Sequence, residues 1–202
     1  MPKINSSARS IALKVVYYGA GMCGKTTNIV QLHQTYPAPQ RGDLVKLDTE
    51  TERTLFFDYF PANLGTLAGF RLKADLFTVP GQSFYNATRR AVLDGVDGIV
   101  FVADSSPDRE EANLFALENM HQNLEALNRN IAEIPVVFQW NKRDISGALP
   151  EKLLQRQLNP HGRPVVSAVA SLGTGVWETQ SLILKGVIEQ LRASSREGRA
   201  HA

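Results

Sequence analysis

Residues 19–26 have the sequence Gly-Ala-Gly-Met-Cys-Gly-Lys-Thr, and they constrain the fold more than any other segment of the chain. The apolar run Ile11–Tyr18 before them predicts a buried strand, and a helical pattern begins at Lys25 and must end before Pro37. A glycine-rich turn between a strand and a helix lets backbone N–H groups point inward, and the helix N-terminus adds partial positive charge. We therefore predict a loop of the G-x-x-x-x-G-K-[ST] type, which binds phosphate groups.

The side chains of this phosphate loop have predictable tasks. Lys25 would neutralise terminal phosphates, which makes it a catalytic as well as a binding candidate, and the Thr26 hydroxyl would ligate Mg²⁺. Cys23 admits two interpretations, a thiol activated by the helix N-terminus or a residue packed beneath the loop, and packing is favoured because reactivity requires exposure. The predicted phosphate-binding residues are Gly19, Gly21, Gly24, Lys25, Thr26 and Thr27.

Short apolar runs alternate with helical patterns along the rest of the chain. Strands are predicted at Ile11–Tyr18, Arg53–Phe60, Phe70–Val79, Gly98–Ala103, Pro135–Trp140 and Val165–Ala170. The segment Pro61-Ala62-Asn63 and Gly65 predict a turn between the second and third of these strands. The pattern predicts an α/β fold with a mostly parallel central sheet, one antiparallel edge strand and helices on both faces. Ligands of such sheets bind beyond the carboxyl ends of the strands.

Composition limits the classes that the chain can belong to. Its 202 residues carry 22 Lys and Arg against 20 Asp and Glu, and 43% of them are hydrophobic, which fits a packed domain and not a disordered or fibrous chain. The balanced charge does not indicate nucleic-acid binding, and the single cysteine fits a reducing compartment. We expect a cytoplasmic protein without integral membrane association, with a lead-in at 1–10, a single domain at 11–193 and a flexible tail at 194–202.

The segment Asn141-Lys142-Arg143-Asp144 follows the predicted strand that ends at Trp140. Guanine presents adjacent N1–H and N2–H donors that one carboxylate can accept together, and adenine presents no such pair. Asp144 would therefore select guanine, because the wrong base leaves its lone pairs unpaired, and the aliphatic stem of Lys142 would lie along the ring.

Together with Thr78-Val79-Pro80-Gly81-Gln82 and Glu52-Arg53-Thr54-Leu55-Phe56-Phe57-Asp58, these motifs resemble those of small Ras-like GTPases, and most closely the bacterial MglA family of cell-polarity and gliding-motility regulators. The resemblance covers roughly residues 11–191 and implies a single GTPase domain with the P-loop NTPase fold of the small-GTPase type. It also implies a GTP/GDP switch that hydrolyses GTP slowly and uses Mg²⁺. The implied partners are a homodimeric MglB-like activating protein of the roadblock fold and effector proteins at a cell pole, to which the protein would be recruited.

The resemblance assigns roles residue by residue. Gly21 matches the position where a side chain would crowd the γ-phosphate. Asn141, Lys142 and Asp144 match guanine recognition. Spacing back from Gly175 places the last base-contacting loop at 169–171, so the backbone N–H of Ala170, and not the earlier Ser167-Ala168 pair, is expected to face the guanine oxygen.

One position departs from the Ras-like pattern. Thr78 stands where these proteins place an Asp that holds the Mg²⁺ shell, and a hydroxyl cannot replace the charge of a carboxylate. Asp58 is the nearest plausible substitute, although an exposed strand carboxylate explains it equally well. Asp75 is less attractive because an odd spacing from Thr78 places it on the opposite face of a regular strand.

Two switch segments surround the expected γ-phosphate. The Gly81 N–H can sense that phosphate and Gln82 can orient the attacking water. Arg53 is a candidate catalytic arginine in cis, with a solvated surface charge as its alternative. Thr49, Thr51 and Thr54 could each reach Mg²⁺, and only the resemblance selects Thr54, as a metal and nucleotide ligand.

The aromatic run at 56–60 places Phe57 and Tyr59 on one face of a strand and Phe56 and Phe60 on the other. Core packing explains one face, and a partner surface is a hypothesis for the other. At the level of function, the main hypothesis is a GTP-hydrolysing switch. The alternative is a guanine-nucleotide-binding module with little turnover, which only Thr78 supports, and a P-loop kinase or ATPase is disfavoured by Asp144.

Overall fold

The computed structural model describes residues 2–47, 57–81 and 85–200, which form one mixed sheet covered by helices. The strands are β1 (Lys3–Asn5), β2 (Ser10–Tyr18), β3 (Val45–Leu47), β4 (Phe57–Leu67), β5 (Phe70–Thr78), β6 (Gly98–Asp104), β7 (Val136–Asn141) and β8 (Val165–Ser167). The α-helices are α1 (Lys25–Thr35), α2 (Asn86–Leu93), α3 (Glu110–Ala126), α4 (Glu151–Leu158) and α5 (Val176–Ala200).

The strand order is β3-β4-β5-β2-β6-β7-β8, with β1 paired to β2 outside this path. Strands β5, β2, β6, β7 and β8 are parallel to their neighbours in that series. Strand β4 runs antiparallel to both β5 and β3, and β1 runs antiparallel to β2. The predicted α/β fold with a mostly parallel sheet is confirmed. The outer edge of the antiparallel strand β4 pairs with the short β3, which the sequence did not predict. The segment 1–10, predicted as a lead-in, contains β1.

The central strands are apolar because helices cover both of their faces. All residues of β6 and β7 are buried. On one face Val15 and Tyr17 of β2 belong to a core that includes Ile29 of α1 and Ile183 of α5. On the other face, a second core joins the sheet to α2, α3 and α4 and contains residues such as Val16, Leu93, Met120 and Leu154.

The predicted turn after residue 60 is wrong. Strand β4 continues through Pro61 to Leu67, and the reversal occurs at Ala68 and Gly69, which both have positive φ. Pro61 fits within the strand because its carbonyl accepts the Gly42 N–H, so its backbone polar groups face away from β5 and the missing N–H is not needed there. The register shift between Asn63 and Gly65 is a β-bulge, which Gly65 accommodates at φ 90°.

The last helix extends into the segment that the sequence assigns to the tail, because α5 continues to Ala200. The added residues include Ala, Arg and Glu, which are good helix formers. Similarly, the predicted strand 165–170 ends at Ser167, and Ala170–Leu172 form a 3-10 turn instead. Within the described ranges, no helix combines the length and apolar character needed to span a bilayer.

Candidate functional site

The phosphate loop can adopt its conformation only because of its glycines. Gly19 has φ 144°, and a Cβ built on it would lie 2.2 Å from the carbonyl oxygen of Val102 in β6. Gly24 has φ 103°, and its Cβ would lie 2.2 Å from Nδ2 of Asn141. A side chain at either position would therefore push the loop away from the neighbouring strands.

Lys25 begins α1 with its ammonium group inside the loop. Its Nζ donates to the carbonyl oxygens of Ala20 at 2.6 Å and Gly19 at 3.1 Å. Burial is the main cause that lowers the pKa of Lys25 below its ordinary value. The first turn of α1 contains no acidic residue, and no side chain caps its N-terminus at Gly24. The N-terminal N–H groups and this cation together favour an anion.

Cys23 occupies the interior of the same loop. It is fully buried, and its Sγ lies 3.7 Å from the Lys25 Nζ. This placement supports the packing interpretation of Cys23 over a redox role, which would require exposure.

Asn141, at the end of β7, connects three loops. Its Nδ2 donates to the Cys23 carbonyl at 2.8 Å, and its Oδ1 accepts the Ala170 N–H at 2.9 Å. The side chain is buried, so these hydrogen bonds are shielded from water. The predicted contact of the Ala170 N–H with a guanine oxygen would require that this donor be shared with Asn141, and it stays a prediction.

The next residues of this loop lie at the rim of the site. Asp144 is exposed, and Lys142 is partly exposed with a positive φ of 63°. The Nζ of Lys142 lies 2.7 Å from Oδ2 of Asp104, the last residue of β6. Asp104 is fully buried and its Oδ1 also accepts the Ser106 hydroxyl at 2.7 Å. Lys142, which is predicted to lie along the guanine ring, therefore forms an ion pair with the Asp104 carboxylate.

Burial alone would raise the pKa of Asp104. The Lys142 ammonium and the Ser106 hydroxyl and N–H outweigh burial, so that the pKa is lowered below its ordinary value. Sequence reasoning missed this residue. The signal was present, since an Asp that ends the otherwise apolar run Gly98–Ala103 needs a partner in the folded protein.

A second residue that sequence reasoning missed is Arg109. Its NH2 donates to the Gly21 carbonyl at 2.6 Å, and its Nε lies 3.9 Å from Oδ2 of Asp104. Asp104 therefore lies between the phosphate loop and Lys142, with a cation on each side. This arrangement joins the loops predicted to bind phosphate and base.

Three oxygen-bearing side chains meet at the start of α1. The Thr26 hydroxyl donates to Oδ2 of Asp58 at 2.5 Å, and the Thr78 hydroxyl donates to the same oxygen at 3.2 Å. The Asp58 N–H in turn donates to the Thr78 hydroxyl at 2.8 Å. Asp58 therefore lies beside the predicted Mg²⁺ ligand Thr26, and its role as the substitute carboxylate stays a prediction. Asp75 lies elsewhere and accepts the Tyr59 hydroxyl at 3.2 Å.

This group fits a hard cation, because Mg²⁺ prefers oxygen ligands and is usually held by one or two carboxylates. Among the residues that the structure describes, no group of three or more His, Cys, Asp and Glu side chains is placed to hold a metal. A Mg²⁺ ion at this position would therefore depend on Asp58 for protein charge and on hydroxyls and ligand phosphates for its other oxygens.

The loop after β5 touches the phosphate loop. A Cβ built on Gly81 would lie 2.4 Å from the Gly21 Cα, and one built on Gly21 would lie 3.4 Å from the Gly81 carbonyl oxygen. Gly81 is therefore needed for the close approach, whereas a Cβ on Gly21 would make an ordinary van der Waals contact. The predicted residues Arg53, Thr54 and Gln82 lie outside the described residues, as do the alternatives Thr49 and Thr51.

The aromatic residues of β4 differ in their surroundings. Phe60 is fully buried and makes edge contacts with His33 and Tyr36, as core packing predicts. Tyr59 is partly exposed and packs against Phe77 at a centroid distance of 4.7 Å. The partner surface stays a hypothesis, and Phe56 lies outside the described residues.

A phosphate loop of this geometry, joined through Asn141 to the Asn141–Asp144 loop on a sheet of this order, defines a P-loop NTPase of the small-GTPase type. No family model matches the chain. The chain is 46% identical over 192 residues to the mutual gliding-motility protein MglA of Myxococcus xanthus (strain DK1622), and the match covers 95% of this chain and 98% of that protein. The chain therefore belongs to the MglA family of small GTPases.

Proposed function

We propose that this protein is a molecular switch that binds GTP and GDP and hydrolyses GTP to GDP and phosphate. The observation that carries the proposal is the hydrogen bond from Asn141 to the Cys23 carbonyl, which attaches the phosphate loop to the loop with the guanine-selecting sequence. A protein that binds phosphate alone has no need of this connection. Gly19, Gly21, Gly24, Lys25, Thr26 and Thr27 would contact the phosphates, and Asn141, Lys142, Asp144 and Ala170 the base.

Mg²⁺ fits beside Thr26 and Asp58, with Thr54 as a further ligand that the family resemblance selects. The ion would neutralise charge on the terminal phosphates. Thr78 hydrogen-bonds Asp58, so its hydroxyl orients the carboxylate and does not substitute for one. With Asp58 supplying the charge and Thr78 orienting it, a threonine can stand where Ras-like proteins place an aspartate.

For hydrolysis, we assign the Gly81 N–H to the γ-phosphate, Gln82 to the attacking water and Arg53 to the charge that spreads over the phosphate oxygens in the transition state. Lys25 contributes a fixed positive charge at the same phosphates. An arginine on the segment before β4 would act in cis, so that an activating partner would position Arg53 and Gln82 without supplying an arginine itself.

The cellular role proposed here follows the relative, which is named for gliding motility. We infer that this protein regulates cell polarity or motility in the cytoplasm and is recruited to a cell pole. Its partners would be effectors and a homodimeric activating protein of the roadblock fold, similar to MglB. The partly exposed pair Tyr59 and Phe77 offers an aromatic surface on β4 and β5 for such a partner.

The test is a competition titration with phosphate release measured in parallel. GTP and GDP should bind about 10⁴-fold better than ATP, because a site built for hydrogen bonds rejects a base that lacks the donors. Phosphate should be released from GTP. Equal affinity for ATP and GTP would contradict the guanine assignment, and tight GTP binding without phosphate release would support the non-hydrolysing alternative.

Asp144→Asn should shift the preference of the site from guanine to xanthine nucleotides, since the amide can donate to the xanthine oxygen. The change should be seen as a loss of about 100-fold or more in GDP affinity with a gain for XDP, within the range for groups left unpaired. Asp94→Asn is the matched control, because Asp94 is an exposed carboxylate directly after α2. Its backbone carbonyl accepts a hydrogen bond from Lys14 in the middle of β2.

A further inference from the structure

Arg89 of α2 is a buried guanidinium with neutral partners. It is 1% exposed, and its Nε and NH2 donate to the carbonyl oxygens of Pro80 at 2.8 Å and Gly81 at 2.7 Å. Its NH1 donates to Oδ1 of Asn119 at 2.7 Å, and its Cζ lies 5.9 Å from the centre of the Tyr18 ring. Burying a charge is costly, so the arrangement calls for an explanation beyond stability.

The two carbonyls that Arg89 holds belong to the two peptide groups on either side of Gly81. The Pro80 carbonyl shares its peptide group with the Gly81 N–H, and the Gly81 carbonyl shares the next one with the nitrogen of residue 82. A peptide group is planar and trans, so its N–H points opposite to its carbonyl. By holding both oxygens, the guanidinium fixes the direction of the Gly81 N–H and the start of the segment that leads to Gln82.

Gly81 lies against the phosphate loop. A Cβ on Gly81 would meet the Gly21 Cα at 2.4 Å and the Lys25 Nζ at 3.5 Å. Glycine has unusual backbone freedom, so without an external constraint the peptide groups around Gly81 could rotate. Arg89 supplies that constraint through its hydrogen bonds to the Pro80 and Gly81 carbonyl oxygens.

The far end of Arg89 is itself anchored to rigid elements. Oδ1 of Asn119 in α3 also accepts the Tyr18 hydroxyl of β2 at 2.7 Å, and Nδ2 of Asn119 donates to Asn86 at 2.9 Å. Tyr18 and Asn119 are buried. A chain of hydrogen bonds therefore fixes the orientation of the Gly81 peptide relative to the central sheet and to α3.

We propose that Arg89 is the positioning residue that directs the Gly81 N–H toward the terminal phosphate of GTP, and that it thereby sets how strongly the protein prefers GTP over GDP. The proposal deepens the function proposed above and rests on it. Arg89 does not contact the nucleotide in this mechanism, and GDP, which lacks the terminal phosphate, does not sense the Gly81 N–H. Loss of Arg89 therefore weakens the binding of one nucleotide and leaves the other unchanged.

The experiment measures the affinities of the full chain for fluorescent GDP and for a fluorescent non-hydrolysable GTP analogue, both with Mg²⁺. Arg89→Met should weaken binding of the analogue about 10-fold or more, the order expected when a hydrogen bond to a charged group is lost, and change GDP affinity by less than about 2-fold. Arg89→Lys should show a smaller loss in the same direction, because lysine lacks the planar fork that holds two carbonyls.

The matched control is Arg90→Met on the next residue of α2. Arg90 is exposed, and its Nε donates to Oδ1 of Asn123 at 3.2 Å, so its loss should leave both affinities unchanged. Thermal unfolding of each variant separates folding defects from binding effects. If Arg89→Met does not fold, Arg89→Lys decides the question by the same ratio.

A purely structural role would lower both affinities by the same factor, and that result would overturn the proposal, as would unchanged affinities in both Arg89 variants. Failure of the underlying function looks different, because the unaltered protein would then bind neither nucleotide. The ratio of the two affinities, and not either value alone, carries the conclusion.

Discussion

Two carboxylates of this protein make contacts that no sequence motif predicts. Asp58 lies on a strand next to the switch segment and not at the end of β5, yet its carboxylate accepts hydrogen bonds from both Thr26 and Thr78. Asp104 is buried at the end of β6 and holds the Lys142 ammonium at 2.7 Å. Asp58 supplies a negative charge beside Thr26, and Asp104 supplies one beside Lys142. Neither carboxylate belongs to the phosphate loop or to the Asn141–Asp144 loop.

The role of Asp58 can be tested through the dependence of nucleotide binding on Mg²⁺. Asp58→Asn keeps the shape of the side chain and removes its charge, so the Mg²⁺ concentration needed for half-maximal GDP retention should rise about 10- to 100-fold. Asp75→Asn is the matched control, since Asp75 is on the neighbouring strand and contacts Tyr59. Equal Mg²⁺ requirements in the two variants would contradict the assignment.

The pairing of Asp104 predicts a pH dependence of stability. Its pKa is lowered in the folded protein, so its stabilising effect is present above the unfolded carboxyl pKa of about 3.9 and is lost as the pH falls through the folded value. Asp104→Asn should lower the free energy of unfolding by about 1–3 kcal/mol at pH 7, the range for a hydrogen bond to a charged group.

Urea unfolding of both proteins across pH measures this effect. The difference in unfolding free energy between them should be constant from pH 7 to about 5 and shrink below about 4, where the carboxyl begins to protonate. A difference that does not change with pH would show that shape, and not charge, makes Asp104 important.

At the scale of elements, the long buried strands were predictable, and of the three short strands only β8 was. Gly98–Ala103 and Pro135–Trp140 are continuous apolar runs, and they correspond to β6 and β7. Strands β1 and β3 have three residues each, too few to show a period. The turn after Phe60 was wrong because Pro61 and Gly65 are ordinary turn residues that here occupy a strand edge and a bulge.

The candidate site also contains parts that the sequence predicted and parts that it did not. The phosphate loop and the Asn141–Asp144 loop are local patterns with fixed spacing, and a sequence is sufficient to find them. The contacts made by Asp58, Asp104 and Arg109 join segments distant in the chain. Such contacts depend on strand order and register, which no local spacing contains.

The packing of β6 against α5 gives a prediction for these elements. A Cβ on Gly98 would lie 2.5 Å from Cγ2 of Val187 and 3.1 Å from Cδ1 of Ile183. Gly98→Ala should therefore destabilise the protein by about 1–3 kcal/mol through overpacking. In a Val187→Ala background the same change should cost less, because space has been made. Urea denaturation of the four proteins tests this, and equal costs in both backgrounds would contradict it.

For the whole molecule, ligand binding should appear as added stability. A ligand that binds only the folded protein adds about 2.7 kcal/mol at a concentration 100 times its Kd. For a chain of this size GDP with Mg²⁺ should raise the unfolding temperature by roughly 5–10 °C. ATP at the same concentration should not, and chelation of Mg²⁺ should reduce the shift. Calorimetry measures all three, and equal shifts with ATP and GDP would count against guanine selection.

The hydrogen bonds of Asn141 also bear on how the chain comes to be folded. They join Cys23, Asn141 and Ala170, which are separated by 118 and 29 positions along the sequence. Contacts of such long range form slowly, because the intervening chain must first be ordered. A chain still emerging from the ribosome lacks the last of these partners and cannot complete the pocket. The proposed nucleotide site is therefore expected to form only after the segment around Ala170 has been synthesised and has packed against Asn141, and a bound nucleotide would then stabilise the folded protein against proteolysis.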